Sequence, residues 1–142
     1  MSNSEYDKKL KRFLIPVLRR ATYRWKDRDE AFKAARIDRG QYKCASCSEI
    51  FGPKEVCIDH IEPVVSIDEG FTDWGIYVKR MFPEKEGFQV LCNPCHDLKT
   101  SIEDNMRTAA RQKRKETERE LKTLKKLEEK AKKKLAKQLK EE

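Results

Sequence analysis

Two cysteine pairs with the same short spacing constrain this chain more than any other feature. Cys44 and Cys47 form one CxxC pair, and Cys92 and Cys95 form the second. Each pair can present two thiolates to a tetrahedral ion, and two pairs complete a closed four-cysteine zinc site. The 142 residues are 41% charged and 37% hydrophobic. The hydrophobic core is therefore expected to be small and to need further stabilisation by a bound metal ion. We therefore expect a structural Zn²⁺ ion.

The remaining cysteine and the N-terminal residues bear on the redox environment. Cys57 stands outside both pairs and is predicted to be a small core residue on a strand. The first residues contain no apolar signal run, and no segment is long and apolar enough to cross a membrane. We therefore expect a cytoplasmic protein without membrane contact, whose reduced thiols bind metal and do not form disulfides.

The net charge of +8 is divided into three blocks. Residues 1–43 carry +7, residues 44–106 carry −7 and residues 107–142 carry +8. Basic blocks suit a polyanion such as nucleic acid, whereas an acidic centre rich in thiolates suits bound cations. The last block is equally compatible with a solvated charged helix. We expect a basic helical region over 1–41, a zinc-stapled module over 42–106 and a basic helical tail over 107–142.

The first half of the chain has helical periodicity. Apolar spacing predicts a helical region over residues 5–25, which Pro16 is expected to break or kink. Asp27 is predicted to cap a second helix that runs through Ile37, with Gly40 placed to end it.

The second half alternates strand and helix signals. "KEVCID" and "GFQVLC" are predicted strands, and "TDWGIYVKRMF" is a predicted helix capped by Thr72. From Pro94 to Gln138 no further proline or glycine stops a helix. The end of this helix repeats a thin apolar stripe, which fits a short coiled coil or a lone charged helix. The stripe comprises Leu121, Leu124, Leu127, Ala131, Leu135 and Leu139. The fold class is therefore α+β.

Both histidines stand beside this metal-binding pattern. His60 follows Asp59 at the end of the first predicted strand, and His96 follows the last zinc cysteine. A zinc ion shared by the two cysteine pairs would bring these three residues into one small space. A carboxylate and an imidazole can hold a divalent cation, and a second imidazole can act as a base near neutral pH.

These residues resemble a known family. CxxC, then "IDHIEP", then "LCNPCHDLKT" is similar to the HNH endonucleases, also called ββα-metal or His-Me finger nucleases. The similarity covers residues 42–100, and the preceding segment resembles small HNH proteins encoded by bacteriophages. The resemblance implies a ββα-metal module between basic helices, in the host cytoplasm if the chain is phage-encoded.

The resemblance also implies an activity and a role for each residue. Asp59 and His96 would bind one catalytic divalent cation, and His60 would be the general base of a DNA endonuclease that leaves 5′-phosphate and 3′-hydroxyl ends. Mg²⁺ is the expected ion, although an Asp/His pair also accepts Mn²⁺ or Ni²⁺. One departure is that Gly87 stands where the family commonly has an asparagine that braces the loop of the base.

The expected partner is DNA. Lys99, Arg107 and Arg111 are the predicted nucleic-acid-binding residues, with Lys99 reaching a phosphate from the helix that carries His96. The charged C-terminal helix is a further candidate for self-association or for docking a phage packaging protein. The alternative function is a non-catalytic zinc module that binds DNA or docks such a partner, since the cysteines and basic blocks alone require no chemistry.

Overall fold

The computed structural model describes residues 3–138, which fold as an α+β protein. Its helices are α1 (Asn3–Ala21), α2 (Lys26–Ala34), α3 (Trp74–Met81) and α4 (Asn93–Gln138). Its strands are β1 (Arg36–Asp38), β2 (Gln41–Lys43), β3 (Ile50–Phe51), β4 (Val56–His60) and β5 (Phe88–Cys92). The predicted α+β class and the long C-terminal helix are confirmed.

The described chain divides into two compact units. The first ends at Glu103, and the second begins at Asp104. The first unit contains α1 to α3, the strands β1 to β5 and the start of α4, whereas the second contains the rest of α4. The predicted boundaries at residues 42 and 107 stay a prediction.

Helix α1 continues through Pro16, where the sequence predicted a break or kink. Proline lacks the N–H group that an interior helical residue donates, so Pro16 removes one backbone hydrogen bond from α1. Leu10, Leu14 and Leu18 are half-buried on one side of the helix, and α1 packs against α3. Burial of this apolar side offsets the missing bond, and the helix ends at Ala21.

Helix α2 differs from the prediction at both ends. Trp25 occupies the N-cap position, so Asp27 lies in the first turn and does not cap the helix. Ile37, predicted to be helical, belongs to β1. Gly40 lies in the turn between β1 and β2 with a φ of +70°. Because glycine adopts positive φ without steric cost, Gly40 reverses the chain between two strands and does not end a helix.

Strands β1, β2 and β3 form a small antiparallel sheet that the sequence analysis missed. The loop from β2 to β3 carries the first cysteine pair. In this loop the Cys44 N–H donates to the Glu49 carbonyl at 2.9 Å, and the Ser48 N–H donates to the Cys44 carbonyl at 3.0 Å. These bonds close the first CxxC pair into a tight turn.

Strands β4 and β5 are confirmed and pair in antiparallel register. Asp59 lies opposite Gln89, and Val56 lies opposite Cys92. Leu91 is buried in a cluster with two of the paired cysteines, and α2 packs against both strands. Because β5 continues directly into α4, the second cysteine pair lies at the junction of a strand and a helix.

Helix α3 is confirmed, but its cap is Asp73 and not Thr72. The Ile76 N–H donates to Asp73 Oδ1 at 2.9 Å. Both residue types cap helices well, and the helix begins at Trp74, one position after Asp73. At the other end, the helix ends at the buried Met81, whose carbonyl contacts His60 of β4.

The second unit is a charged helical segment with exposed leucines. Leu121, Leu124, Leu127 and Leu135 are each more than half exposed. Ion pairs one turn apart, such as Lys122 with Glu118 at 2.6 Å, line the helix. Leu139, the last residue of the predicted stripe, lies outside the described residues. Self-association through this helix stays a prediction.

Candidate functional site

The four cysteines of the two CxxC pairs converge on one point. The sulfur atoms of Cys44, Cys47, Cys92 and Cys95 all lie within 4.8 Å of one another. The Sγ atoms of Cys47 and Cys92 are 3.9 Å apart. Sulfurs bound tetrahedrally at about 2.3 Å from zinc lie about 3.8 Å from each other, so the cluster fits this ion. The cluster can therefore hold a structural metal such as zinc.

The thiols of this cluster differ in acidity. Burial disfavours the thiolate of Cys44, but backbone N–H groups, including those of Cys47 and Cys92, lower its pKa to about 6. The backbone N–H of Cys95 favours the Cys92 thiolate, yet burial and the surrounding sulfurs raise the pKa of Cys92 to about 12. A divalent metal among the sulfurs would favour the charged form of thiols such as Cys92, whose pKa is raised without it.

Cys57 lies outside the cluster, as the sequence predicted. Its thiol is half-buried and donates to the Leu91 carbonyl at 3.7 Å. Burial, together with the negative charges of Asp59 and Asp97, raises the pKa of Cys57 above its usual value. The residue is a protonated thiol at neutral pH.

A second pair of potential ligands lies where β4 meets α4. Asp59 is on β4 and His96 is near the start of α4, and His96 Nε2 is 4.0 Å from Asp59 Oδ1. Two ligand atoms bound at about 2.1 Å to one Mg²⁺-sized ion are separated by at most about 4.2 Å. The observed separation therefore leaves room for one ion between them. The structure brings together the two residues that the sequence placed in a metal site.

Lys99 ties Asp59 to α4. Its Nζ donates to Asp59 Oδ2 at 2.7 Å, to Glu103 Oε1 at 2.8 Å and to the His60 carbonyl at 2.9 Å. Gln89, opposite Asp59, donates from Nε2 to the same Oδ2 at 3.1 Å. Burial disfavours the charge of Lys99, but its bonds to Asp59 and Glu103 raise its pKa above the usual value. The lysine predicted to reach a phosphate thus contacts two carboxylates.

The ring of His60 has different neighbours from those of Asp59. Successive residues of a strand project from opposite faces. The His60 ring lies 4.9 Å from the Phe88 ring, and its Nε2 is 3.0 Å from the Met81 carbonyl. A carbonyl oxygen only accepts, so in the neutral imidazole the proton is on Nε2 and the lone pair is on Nδ1. A backbone group therefore sets the tautomer of His60.

The turn that presents the Met81 carbonyl is braced from two sides. Trp25 Nε1 donates to the Pro83 carbonyl at 2.7 Å. Pro83 also packs so closely on Gly87 that a Cβ atom there would lie 2.5 Å from Pro83 Cβ. A side chain at position 87 would therefore clash with Pro83 in this backbone. The Met81 carbonyl holds the His60 ring, and Trp25 holds the turn that carries this carbonyl.

The other predicted nucleic-acid-binding residues lie on α4 in the second unit. Arg107 Nη1 pairs with Asp104 Oδ1 at 3.1 Å, and Arg111 is exposed. Their contact with DNA stays a prediction.

Three residues of the site were not predicted from the sequence. Gln89 is the cross-strand neighbour of Asp59, and Glu103 lies one helical turn after Lys99. Strand pairing and helical periodicity would have placed both side chains. Met81 acts through its backbone carbonyl, which no pattern of residue types reveals.

Comparison of the chain with protein-family models, curated proteins and solved structures gives no match. Within residues 3–138, no helix combines the length and the low polarity needed to span a membrane.

Proposed function

We propose that this protein is a metal-dependent DNA endonuclease of the HNH kind. Asp59 and His96 bind one divalent cation, and His60 is the general base. The observation that carries the proposal is the 4.0 Å separation of His96 Nε2 and Asp59 Oδ1 beside a histidine whose Nε2 is held by a carbonyl. A pair of ligands and a base with a set tautomer are two parts of one hydrolytic site.

His60 accepts a proton from the attacking water on Nδ1, because its Nε2 proton is bonded to the Met81 carbonyl. An imidazole is suited to this role near neutral pH. Asp59 and His60 project from opposite faces at the strand end, so the base and the ligand pair can flank a phosphodiester there. When bound, the cation supplies Lewis acidity and stabilises the charge of the leaving 3′ oxygen.

The two metal sites have separate tasks in this proposal. The four-cysteine cluster is closed, so a zinc ion in it has no open position for substrate and serves the fold. The Asp59–His96 pair offers one oxygen and one nitrogen ligand, leaving most positions of an octahedral ion to water and phosphate. This donor set suits Mg²⁺, and also Mn²⁺ or Ni²⁺.

Charge supports DNA as the substrate. The two basic blocks of the sequence, +7 over residues 1–43 and +8 over residues 107–142, flank the acidic block that holds both metal sites. Lysine and arginine side chains bind phosphates without regard to sequence. We therefore expect cleavage at any DNA sequence that the site can reach, with products ending in 5′-phosphate and 3′-hydroxyl.

Supercoiled plasmid tests the proposal. Zinc-loaded protein is incubated with plasmid in Mg²⁺, in Mn²⁺ and in EDTA, beside His60→Ala protein prepared identically as a control for contaminating nuclease. We expect nicked or linear plasmid with metal, none with EDTA, and a rate for the variant lower by roughly 10² to 10⁴.

Plasmid left intact by zinc-loaded protein in every metal would refute the nuclease. That result would favour the alternative function, a zinc module that binds DNA or docks a partner without cutting.

A further inference from the structure

All three N–H donors of the Lys99 ammonium group have acceptors within the protein. An ammonium has three N–H donors, and Lys99 Nζ has three acceptors, namely Asp59 Oδ2, Glu103 Oε1 and the His60 carbonyl, at 2.7, 2.8 and 2.9 Å. The side chain is 26% exposed, and those of Asp59 and Glu103 are each 17% exposed. In this arrangement the lysine is an internal cation and has no donor left for an outside phosphate.

The two oxygens of Asp59 face different partners. Oδ2 accepts from Lys99 and from Gln89, whereas Oδ1 faces His96. A divalent ion between Oδ1 and His96 would therefore lie within a few ångströms of the Lys99 charge. Like charges at such separations repel strongly where water is partly excluded. Lys99 thus orients the carboxylate and opposes the ion that the carboxylate would bind.

Glu103 reduces the repulsion between Lys99 and a divalent ion bound by Asp59 and His96. It shares the ammonium with Asp59, so Lys99 and the two carboxylates together carry one negative charge. Removing the lysine leaves two negative charges beside His96, and removing the Glu103 charge leaves none. Single substitutions among these three side chains therefore make the net charge beside His96 either more negative or less negative.

We propose that Lys99 is a positioning residue that fixes Asp59 and keeps the affinity of the Asp59–His96 pair for a divalent cation low, and that it does not contact the DNA backbone. This inference rests on the proposed function, since that pair is the metal site of the proposed nuclease. With its metal affinity lowered by Lys99, the Asp59–His96 pair holds an ion firmly only when a substrate phosphate adds an oxygen ligand. Metal and DNA would then bind together.

Mn²⁺ binding without DNA tests the inference independently of DNA cleavage. Electron paramagnetic resonance of free Mn²⁺ is measured for zinc-loaded wild type, for Lys99→Met and for His96→Ala, which identifies the site. We expect Lys99→Met to bind Mn²⁺ about tenfold more tightly, because one opposing unit charge is removed close to the ion. Lys113→Met, the same change further along α4, is the matched control and should bind as wild type does.

Two further variants keep the test decisive if Lys99→Met folds poorly. Glu103→Gln should bind Mn²⁺ more weakly than wild type, and Lys99→Met combined with Glu103→Gln should return close to wild type. A double variant that binds as weakly as Glu103→Gln alone would show that removing the Lys99 charge does not strengthen Mn²⁺ binding, and would overturn the role of Lys99. Zinc content and circular dichroism establish that each variant is folded.

DNA binding by zinc-loaded protein, measured without added divalent metal and without chelator, tests the second half of the proposal. The logarithm of affinity falls linearly with the logarithm of salt concentration, and each lost phosphate contact reduces the slope by about one. Lys99→Met should keep the wild-type slope. A slope lower by about one would show that Lys99 contacts a phosphate and would overturn this part.

The outcomes separate the inference from the proposed function. Unchanged or weaker Mn²⁺ binding by Lys99→Met, with His96-sensitive binding intact in wild type, overturns the role of Lys99 and leaves the nuclease standing. Mn²⁺ binding that is insensitive to His96→Ala in both wild type and Lys99→Met overturns both.

Discussion

The four-cysteine cluster and the Asp59–His96 pair, the proposed second metal site, both draw a residue from the start of α4. The cluster joins four sulfurs within 4.8 Å, and two of its cysteines, Cys44 and Cys92, are almost completely buried. The pair offers two ligand atoms 4.0 Å apart, on side chains 17% and 37% exposed. A four-ligand site contributes stability and leaves no position for substrate, whereas a two-ligand site keeps open positions at which chemistry can occur.

Of the two sites, only the Asp59–His96 pair is expected to depend on the other. Cys95 and His96 are consecutive residues in α4, and Cys92 ends the strand that pairs with Asp59's strand. Because bound zinc contributes folding free energy, we expect the cluster to hold the pair in place and not the reverse. Loss of the cluster should abolish both sites, and loss of the pair should leave the cluster intact.

The largest expected effect comes from breaking the cluster. Cys92→Ser should release zinc and unfold the first unit, because structural zinc supplies on the order of 10 kcal/mol or more to a fold of this size. Cys57→Ser, a matched change at a thiol outside the cluster, should keep both. Zinc content and circular dichroism measure the difference. Equal zinc loss in the two variants would show that the four ligands are wrongly assigned.

A smaller effect is expected at the turn that positions His60. Gly87→Ala places a Cβ against Pro83, and overpacking of this kind costs about 1–3 kcal/mol. We expect a lower melting temperature, full zinc occupancy and a reduced cleavage rate. A variant that cuts at the wild-type rate would mean that the close packing of Gly87 on Pro83 does not matter to His60.

Trp25→Phe should act on the same turn more mildly. It keeps an aromatic side chain but removes the indole N–H bond to the Pro83 carbonyl, a loss of about 1 kcal/mol. The ¹⁵N chemical shifts of the His60 ring should show a smaller population of the tautomer protonated on Nε2. Unaltered shifts would remove Trp25 from the positioning of the base.

The smallest effect on either site is expected from the second unit. Truncation after Met106 removes a block of charge +8 without touching a ligand, so zinc content and Mn²⁺ affinity should not change. DNA binding should weaken, and its salt dependence should become shallower. Unchanged DNA binding at every salt concentration would assign residues 107–142 to partner docking or to a solvated helix.

The sequence predicted the elements whose apolar pattern is long enough to define a period. Strands β4 and β5, helix α3 and helix α4 follow from such patterns. Strands β1 to β3 have two or three residues each, too few to show an apolar period. The cap of α3 was missed by one position because Thr72 and Asp73 are both good capping residues.

The candidate site was partly predictable for a related reason. The spacing of the cysteines implied a shared ion, and that ion implied that the end of β4 meets the start of α4, which placed Asp59 near His96. The partners of Lys99 could not be predicted in this way. A flexible lysine can reach water, a phosphate or a carboxylate, and the choice depends on the register of helix and strand.

Cleavage rate against Mn²⁺ concentration, measured for zinc-loaded wild type, His60→Ala and His96→Ala, tests the assignment of base and ligand most directly. The nuclease mechanism predicts that His60→Ala keeps the wild-type Mn²⁺ dependence with a rate lower by roughly 10² to 10⁴. His96→Ala, and Asp59→Ala with it, should need more Mn²⁺ and regain part of the rate in excess metal. Rescue of His60→Ala by metal would reverse the two roles, and full-rate cleavage by His60→Ala would contradict the mechanism.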